Sequence, residues 1–205
     1  MILGQAVHLG VFQPELLYRH FFARPEGIDA RTKDGKEKLA ELERANAGKT
    51  MLKSEDFETV QGIMRAIRAH KLASQLISGG RAEVSAIAWD AEYDVGVKAK
   101  PDYLREDDVI VDLKTTQDPS FFSFRRSVTG FRYHAQAAWY LDVTNAALGR
   151  EQYRRFILVA VEKEAPFGVI VYELDREAIR LGRIEIRADL ETYARCLKAD
   201  SWPSY

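Results

Sequence analysis

The chain has 205 residues, 46% of them hydrophobic and 30% charged, with one cysteine and a formal net charge of −1 from 30 basic and 31 acidic residues. That length buries most of its apolar surface without staples, so one domain over residues 1–205 is expected. The single Cys196 excludes an internal disulfide, a cysteine-based zinc site and a cysteine-held iron–sulfur cluster, and its helical setting marks a packed thiol. No apolar run approaches the roughly 18 residues of a membrane span, and the N-terminus lacks a basic region followed by a long apolar stretch. The expected compartment is the cytoplasm, with no membrane contact. Balanced charge argues against nucleic-acid binding by bulk electrostatics, so any such contact would need basic residues gathered locally.

Residues 1–11 carry a periodic apolar face (Ile2, Leu3, Ala6, Val7, Val11) and predict a helix. Gly4 and His8 lie one turn apart on one side of it. Gly4 would let another element approach, and His8 would project beside it, although a histidine there also suits an ordinary helix surface. Pro14-Glu15 should end the helix, with Leu16–Phe22 as a short turn or strand. From Thr32 to Ala47 the chain is highly charged and predicts a solvated helix or mobile flap (32–50). Gly48-Lys49-Thr50 ends like a phosphate-binding loop. Glu43 occupies the place of that motif's first glycine and no strand precedes it, so a nucleotide site is rejected. Ser54 is placed as the N-cap of a helix that buries Phe57, Val60, Ile63, Met64 and Ile67. A short helix over Lys71–Ile77 ends at Gly79-Gly80.

Strands are expected next, over Ala82–Trp89, Val95–Ala99 and Asp107–Thr116, joined by short turns as an antiparallel meander. The third reads Val109-Ile110-Val111-Asp112-Leu113-Lys114-Thr115-Thr116. Side chains alternate along a strand, so Asp112 and Lys114 share a face with Ile110, and Val109, Val111 and Leu113 face a core. A hairpin through Glu106-Asp107-Asp108 brings Asp102 beside Asp112. Two adjacent carboxylates repel unless a cation or proton intervenes, and hard oxygen ligands suit Mg²⁺ or Mn²⁺. The same spacing also suits a solvated ion pair.

Between Pro119 and Leu141 there is no acidic residue, and Arg125, Arg126, Arg132 and His134 are interleaved with seven aromatics. Such a stretch fits a phosphate-backbone contact; it fits equally an aromatic core with arginines over its rim. Tyr133–Val143 predicts a helix with Gln136 and Tyr140 one turn apart. Arg154–Val161 is a strand covered on both sides, Val169–Leu174 another strand, and Asp175 caps a last helix running to about Lys198. Residues 200–205 form a loose tail. The order of elements gives an α/β architecture, a mixed central sheet flanked by helices.

Four pieces now stand in order: Gly4-x-Ala6-x-His8, Pro101-Asp102, Asp112-Leu113-Lys114-Thr115-Thr116, and Tyr133-His134-x-Gln136-x-x-x-Tyr140. Together they resemble the PD-(D/E)XK nuclease superfamily, and more narrowly its exonuclease VIII (RecE-type) prophage branch. The resemblance spans Gly4 to about Val161. It implies a restriction-endonuclease-like core and Mg²⁺-dependent phosphodiester hydrolysis, with Mn²⁺ as a substitute. It further implies ATP-independent digestion of linear double-stranded DNA from 5′ ends, which leaves 3′ overhangs for a single-strand annealing partner in recombination. A ring-shaped homo-oligomer, trimer or tetramer, follows from the same likeness. On it, His8, Asp102, Asp112 and the Leu113 carbonyl would hold metal, and Lys114 would position the attacking water. Gln136 and Tyr140 would brace the site and the DNA backbone, with Glu83 as an outer acid and Arg125, Arg126 and Arg132 on the backbone. Lys100 stands where many relatives carry arginine, keeping the charge without the bidentate fork. An endonuclease on the same core and a catalytically silent DNA-binding or scaffold protein remain as alternative readings.

Overall fold

A computed structural model of the chain describes residues 2–204. Helix α1 (Ile2–Phe12) is followed at once by α2 (Pro14–His20) and strand β1 (Phe21–Ala23). Pro14 therefore starts a helix: its fixed φ and missing N–H suit the first turn, and the turn or strand expected from Leu16 begins only at Phe21. Helix α3 (Lys33–Ala45) is the charged segment, capped by Thr32 Oγ1 accepting from the Gly35 N–H at 3.0 Å. Strand β2 (Thr50–Leu52) pairs parallel with β1. Helix α4 (Ser54–Ala69) buries the five predicted residues, but Lys53 holds the cap position and Ser54 is the first helical residue. The short α5 (Lys71–Leu76) is capped by His70 Nδ1, which accepts from the Ala73 N–H.

The expected meander is corrected by the observed pairing. The strand predicted over Ala82–Trp89 is two strands, β3 (Gly80–Ala82) and β4 (Ala86–Asp90), because Glu83 takes a left-handed φ of 56° and breaks the alternation. Strand β4 pairs with β5 (Val95–Ala99) in a separate two-stranded ribbon, while β3 pairs with β6 (Tyr103–Arg105). Strand β6 turns into β7 (Val109–Thr116), and this hairpin is the one the sequence predicts. Helices α6 (Phe121–Gly130) and α7 (Tyr133–Leu148) then cross to β8 (Arg155–Glu162), which lies parallel to β7. Antiparallel β9 (Val169–Glu173) and the long α8 (Arg176–Ala199) complete the fold. The main sheet is mixed, in the order β3-β6-β7-β8-β9.

Both faces of this sheet are covered, which explains the unbroken apolar run in β8. Val109, Val111, Leu113, Ile157 and Val159 pack with α1 and α4 on one side. Ile110, Phe156, Leu158 and Ala160 pack with α6 and α7 on the other. Cys196 is buried in α8, as its context indicates. Close approach of α7 and α8 depends on Gly182, where an added Cβ would lie 2.2 Å from the His134 carbonyl oxygen and 3.0 Å from Ala135 Cα. Backbone cannot yield as a flexible side chain can. Gly182→Ala is therefore expected to cost about 3 kcal/mol, read as a fall in melting temperature of roughly 6 °C or more.

Candidate metal and active site

The site lies where the β6–β7 ladder stops. The pairs Tyr103↔Val111 and Leu104↔Ile110, continued by two residues, put Asp102 opposite Asp112 and Pro101 opposite Leu113. Proline has no N–H to give to the ladder. The Leu113 N–H is instead taken by Asp102 Oδ2 at 2.8 Å. In a strand a residue's N–H and C=O point to the same side, so the Leu113 carbonyl faces the edge that Pro101 leaves unpaired. The Pro-Asp dipeptide thus fixes one carboxylate and frees one carbonyl beside it. Arg105 anchors this hairpin from its other end, donating to the carbonyls of Gln75, Leu76 and Ser78 and to the Asp107 carboxylate.

Helix α1 brings His8 to the same place, with Nδ1 3.2 Å from Asp102 Oδ1. Burial alone would lower the imidazole pKa. The hydrogen bond and charge of Asp102, with the charges of Asp112 and Glu83, together hold it above its ordinary value. Glu83 enters through its left-handed turn, where its N–H donates to the Asp102 carbonyl at 2.9 Å. One ligand atom from each of His8, Glu83 and Asp102 lies within 4.8 Å of the others. Glu83 also pairs with Lys100. A cleft of about 710 Å³ opens over this group, lined in part by Gly4, His20, Thr50 and Lys100. No element crowds Gly4, where an added Cβ would meet nothing within 4 Å; the glycine expected to admit a neighbour instead keeps the cleft open one turn from His8. The close helix approach is at Gly10, against Met64 and Val60.

Asp112 sits on the opposite side of the hairpin at 1% exposure. Burial first, then the charge of Asp102, pushes its carboxyl pKa up to about 7, against the pull of Lys114 and His8. Lys114 Nζ lies 2.6 Å from Asp112 Oδ2, yet that buried oxygen has no well-aligned hydrogen-bond donor. The ammonium instead donates to Gln136 Oε1 at 2.8 Å and lies 4.5 Å from the centre of the Tyr133 ring. Gln136 in turn donates to the Tyr140 hydroxyl at 3.1 Å. Burial opposes the charged form of Lys114, and Asp112 and Asp102 more than restore it, so its pKa stands above the ordinary lysine value.

Residues 133, 136 and 140 form one stripe of α7 over the polar face of β7, as their three- and four-residue spacing dictates. Tyr133 had no role in the sequence reading, although it opens the motif that contains Gln136. Glu83, expected as an outer acid, is grouped with His8 and Asp102, and Asp112 lies outside that tight group. Arg132 is not gathered here: its guanidinium holds Glu185 at 2.8 Å and Asp189 at 2.7 Å on α8. His134 likewise faces Glu185, at 2.8 Å. Arg125 and Arg126 are exposed on α6. The aromatics of that stretch divide, with Phe124 buried against Tyr172 and Phe121, Phe122 and Phe131 exposed.

These donors fit a hard divalent cation. The carboxylates, with the Leu113 carbonyl that Pro101 leaves without a ladder donor, are the oxygen ligands such an ion takes, and the His8 imidazole adds a nitrogen ligand that favours a transition metal such as Mn²⁺ over Mg²⁺. His8, Asp102, Glu83 and the Leu113 carbonyl would hold the ion from one side, and Asp112 from the other.

The full length, residues 1–205, matches the family described as PDDEXK-like domain of unknown function (DUF3799). A presumptive exonuclease from Eubacterium rectale, known from a crystal structure, is similar over 98% of this chain and 68% of its own, with a TM-score of 0.63 and 15% identity. At that identity the likeness is one of fold. An alkaline exonuclease from Laribacter hongkongensis aligns over 84% of this chain and 88% of its own at 18% identity, with a TM-score of only 0.33. No curated protein sequence matches the chain.

Proposed function

This chain belongs to the family of PDDEXK-like domains, and on that premise we propose that it is a divalent-metal-dependent nuclease that digests linear duplex DNA from 5′ ends. The observation that carries the reading is the buried Asp112, paired with the Lys114 ammonium at 2.6 Å and set across a hairpin from Asp102. A core carboxylate held at this cost has a use other than stability. A bound cation would supply Lewis acidity toward a phosphodiester and a more acidic water. The chain's own residues do the rest. Lys114 places positive charge where a phosphorane-like transition state is most negative. Gln136, itself held by Tyr140, keeps that ammonium aimed at the site. Asp102 Oδ2 is locked by the Leu113 N–H, so Oδ1, on the His8 side, keeps its direction before substrate arrives.

Mg²⁺ is the ion of this proposal on the motif resemblance, with Mn²⁺ as the substitute that His8 favours. The sequence motifs favour the exonuclease VIII-like branch, and with it 3′ overhangs, a ring-shaped homo-oligomer and an annealing partner in the cytoplasm. Arg125 and Arg126, exposed on α6, are the better candidates for backbone contact, since Arg132 is committed to α8.

The test is incubation of end-labelled linear duplex and a closed circle with Mg²⁺, alongside Asp112→Ala. Loss of the linear substrate alone, absent in the variant, is the expected outcome. Cutting of the circle would turn the assignment to an endonuclease, and cutting that survives in the variant would overturn it.

A further inference from the structure

The β4–β5 ribbon leaves the main sheet just after Glu83 and returns just before Pro101-Asp102, so both of its ends are fixed at the candidate site. Its inner face is an ordinary core face: Ala86, Val95, Val97 and Ala99 are buried with Val143 and Leu190 of the helices behind. Two further ties hold it. Trp139 Nε1 donates to the Lys98 carbonyl at 2.9 Å, and Arg187 pairs with Asp90 and Glu92.

Its outer face is unusual. Trp89 and Ile87 stand 64% and 68% exposed, opposite Gly96 and Lys98 in register. The indole lies over Gly96, where an added Cβ would be 3.7 Å from its Cζ3. Its Nε1 donates to Asp94 Oδ1 at 3.1 Å. One ring face is thus set on backbone and the other is left to solvent. Alternation puts Gly96, Lys98 and Lys100 on this same face, and Lys100 reaches Glu83 in the site. At about 3.3 Å per residue, Gly96 to Lys100 spans roughly 13 Å, about four steps of a stacked nucleotide strand at 3.4 Å each.

Resting on the nuclease reading, we propose that this outer face is a platform for the substrate strand, with Trp89 stacking on a base and Lys98 taking a phosphate. A fixed indole accepts any base, because every base has a π-face. The lysines match a polyanion, and the track is continuous with the carboxylate site. Trp89 would be a positioning residue that holds the strand while hydrolysis occurs elsewhere.

The experiment uses the full chain and a fluorescein-labelled duplex with a frayed end, in Ca²⁺ to slow cleavage, with cleavage then followed in Mg²⁺. Trp89→Ala is expected to weaken binding on the order of tenfold and Trp89→Phe much less, with the loss in KM exceeding any change in kcat. Lys98→Ala should lower the slope of log K against log salt by about 0.7. Unchanged melting temperatures exclude misfolding. If Trp89→Ala binds as tightly as the parent while both cleave, the platform is wrong and the nuclease reading stands. If no chain cleaves but Trp89→Ala still loses affinity, the platform stands and the nuclease reading fails. A Trp89→Ala chain that changes its sedimentation mass without losing affinity overturns the platform in favour of a self-association surface.

Discussion

Asp112→Asn is expected to raise the melting temperature of the metal-free protein while lowering nuclease turnover by about 10³-fold or more. The two effects share one cause. The carboxyl of Asp112 titrates near pH 7 in the folded chain, well above an unfolded aspartate, because burial and Asp102 disfavour its charge. An acid raised in this way contributes stability that is full below the unfolded pKa near 4 and is lost as pH rises to about 7. At pH 8 the penalty is fully developed, a few kcal/mol by the 1.36 kcal/mol per unit conversion. Asparagine mimics the protonated acid and escapes it. Melting curves in chelator should therefore coincide for parent and variant near pH 4, diverge up to about pH 7 and run parallel above it, with a gap on the order of 10 °C. A variant that melts below its parent at pH 8 would show that this carboxylate is structural.

Lys114→Met separates the lysine from the metal ligands. Removing one member of a buried pair leaves the other charge uncompensated, at a typical cost of about 3 kcal/mol. Here Asp112 would lose the nearest cation lowering its pKa, and Gln136 would lose its donor. Stability at pH 8 should fall, opposite in sign to Asp112→Asn. Turnover should fall by about 10³-fold, whereas divalent-ion affinity should hold or rise, because a competing positive charge has gone. Arginine should not rescue, since a planar fork does not fit a point-charge position. Activity within tenfold of the parent would remove Lys114 from the chemistry.

Much of this geometry was legible in the residues, and for definite reasons. The β6–β7 hairpin and the faces of β7 follow from strict alternation around Asp112, and the α7 stripe from helical spacing. What the residues hid depends on unusual backbone. Glu83 reads as the second residue of a strand over Ala82–Trp89; its left-handed turn ends β3, releases the ribbon and carries its own carboxylate toward His8. Pro14 reads as a helix stop because proline cannot sit inside a helix, but it is equally good at a helix start. The partners of Arg132 lie more than fifty residues away on α8, and no local pattern points to them. His8, Asp102 and Asp112 are expected to share one cation; the structure sets Asp102 beside His8 and Glu83 and Asp112 beside Lys114, and an ion shared by the two halves is the proposal tested below.

The most direct test of a cation between these two halves is calorimetric titration of Mn²⁺ into the parent chain and into Asp112→Asn, repeated below pH 7 in two buffers of different ionisation enthalpy. The parent should bind Mn²⁺, release protons below pH 7 as the Asp112 carboxyl gives up its own, and exceed the variant in affinity by about tenfold or more. Equal affinity in the two chains, or no binding by a folded parent, would contradict a shared ion.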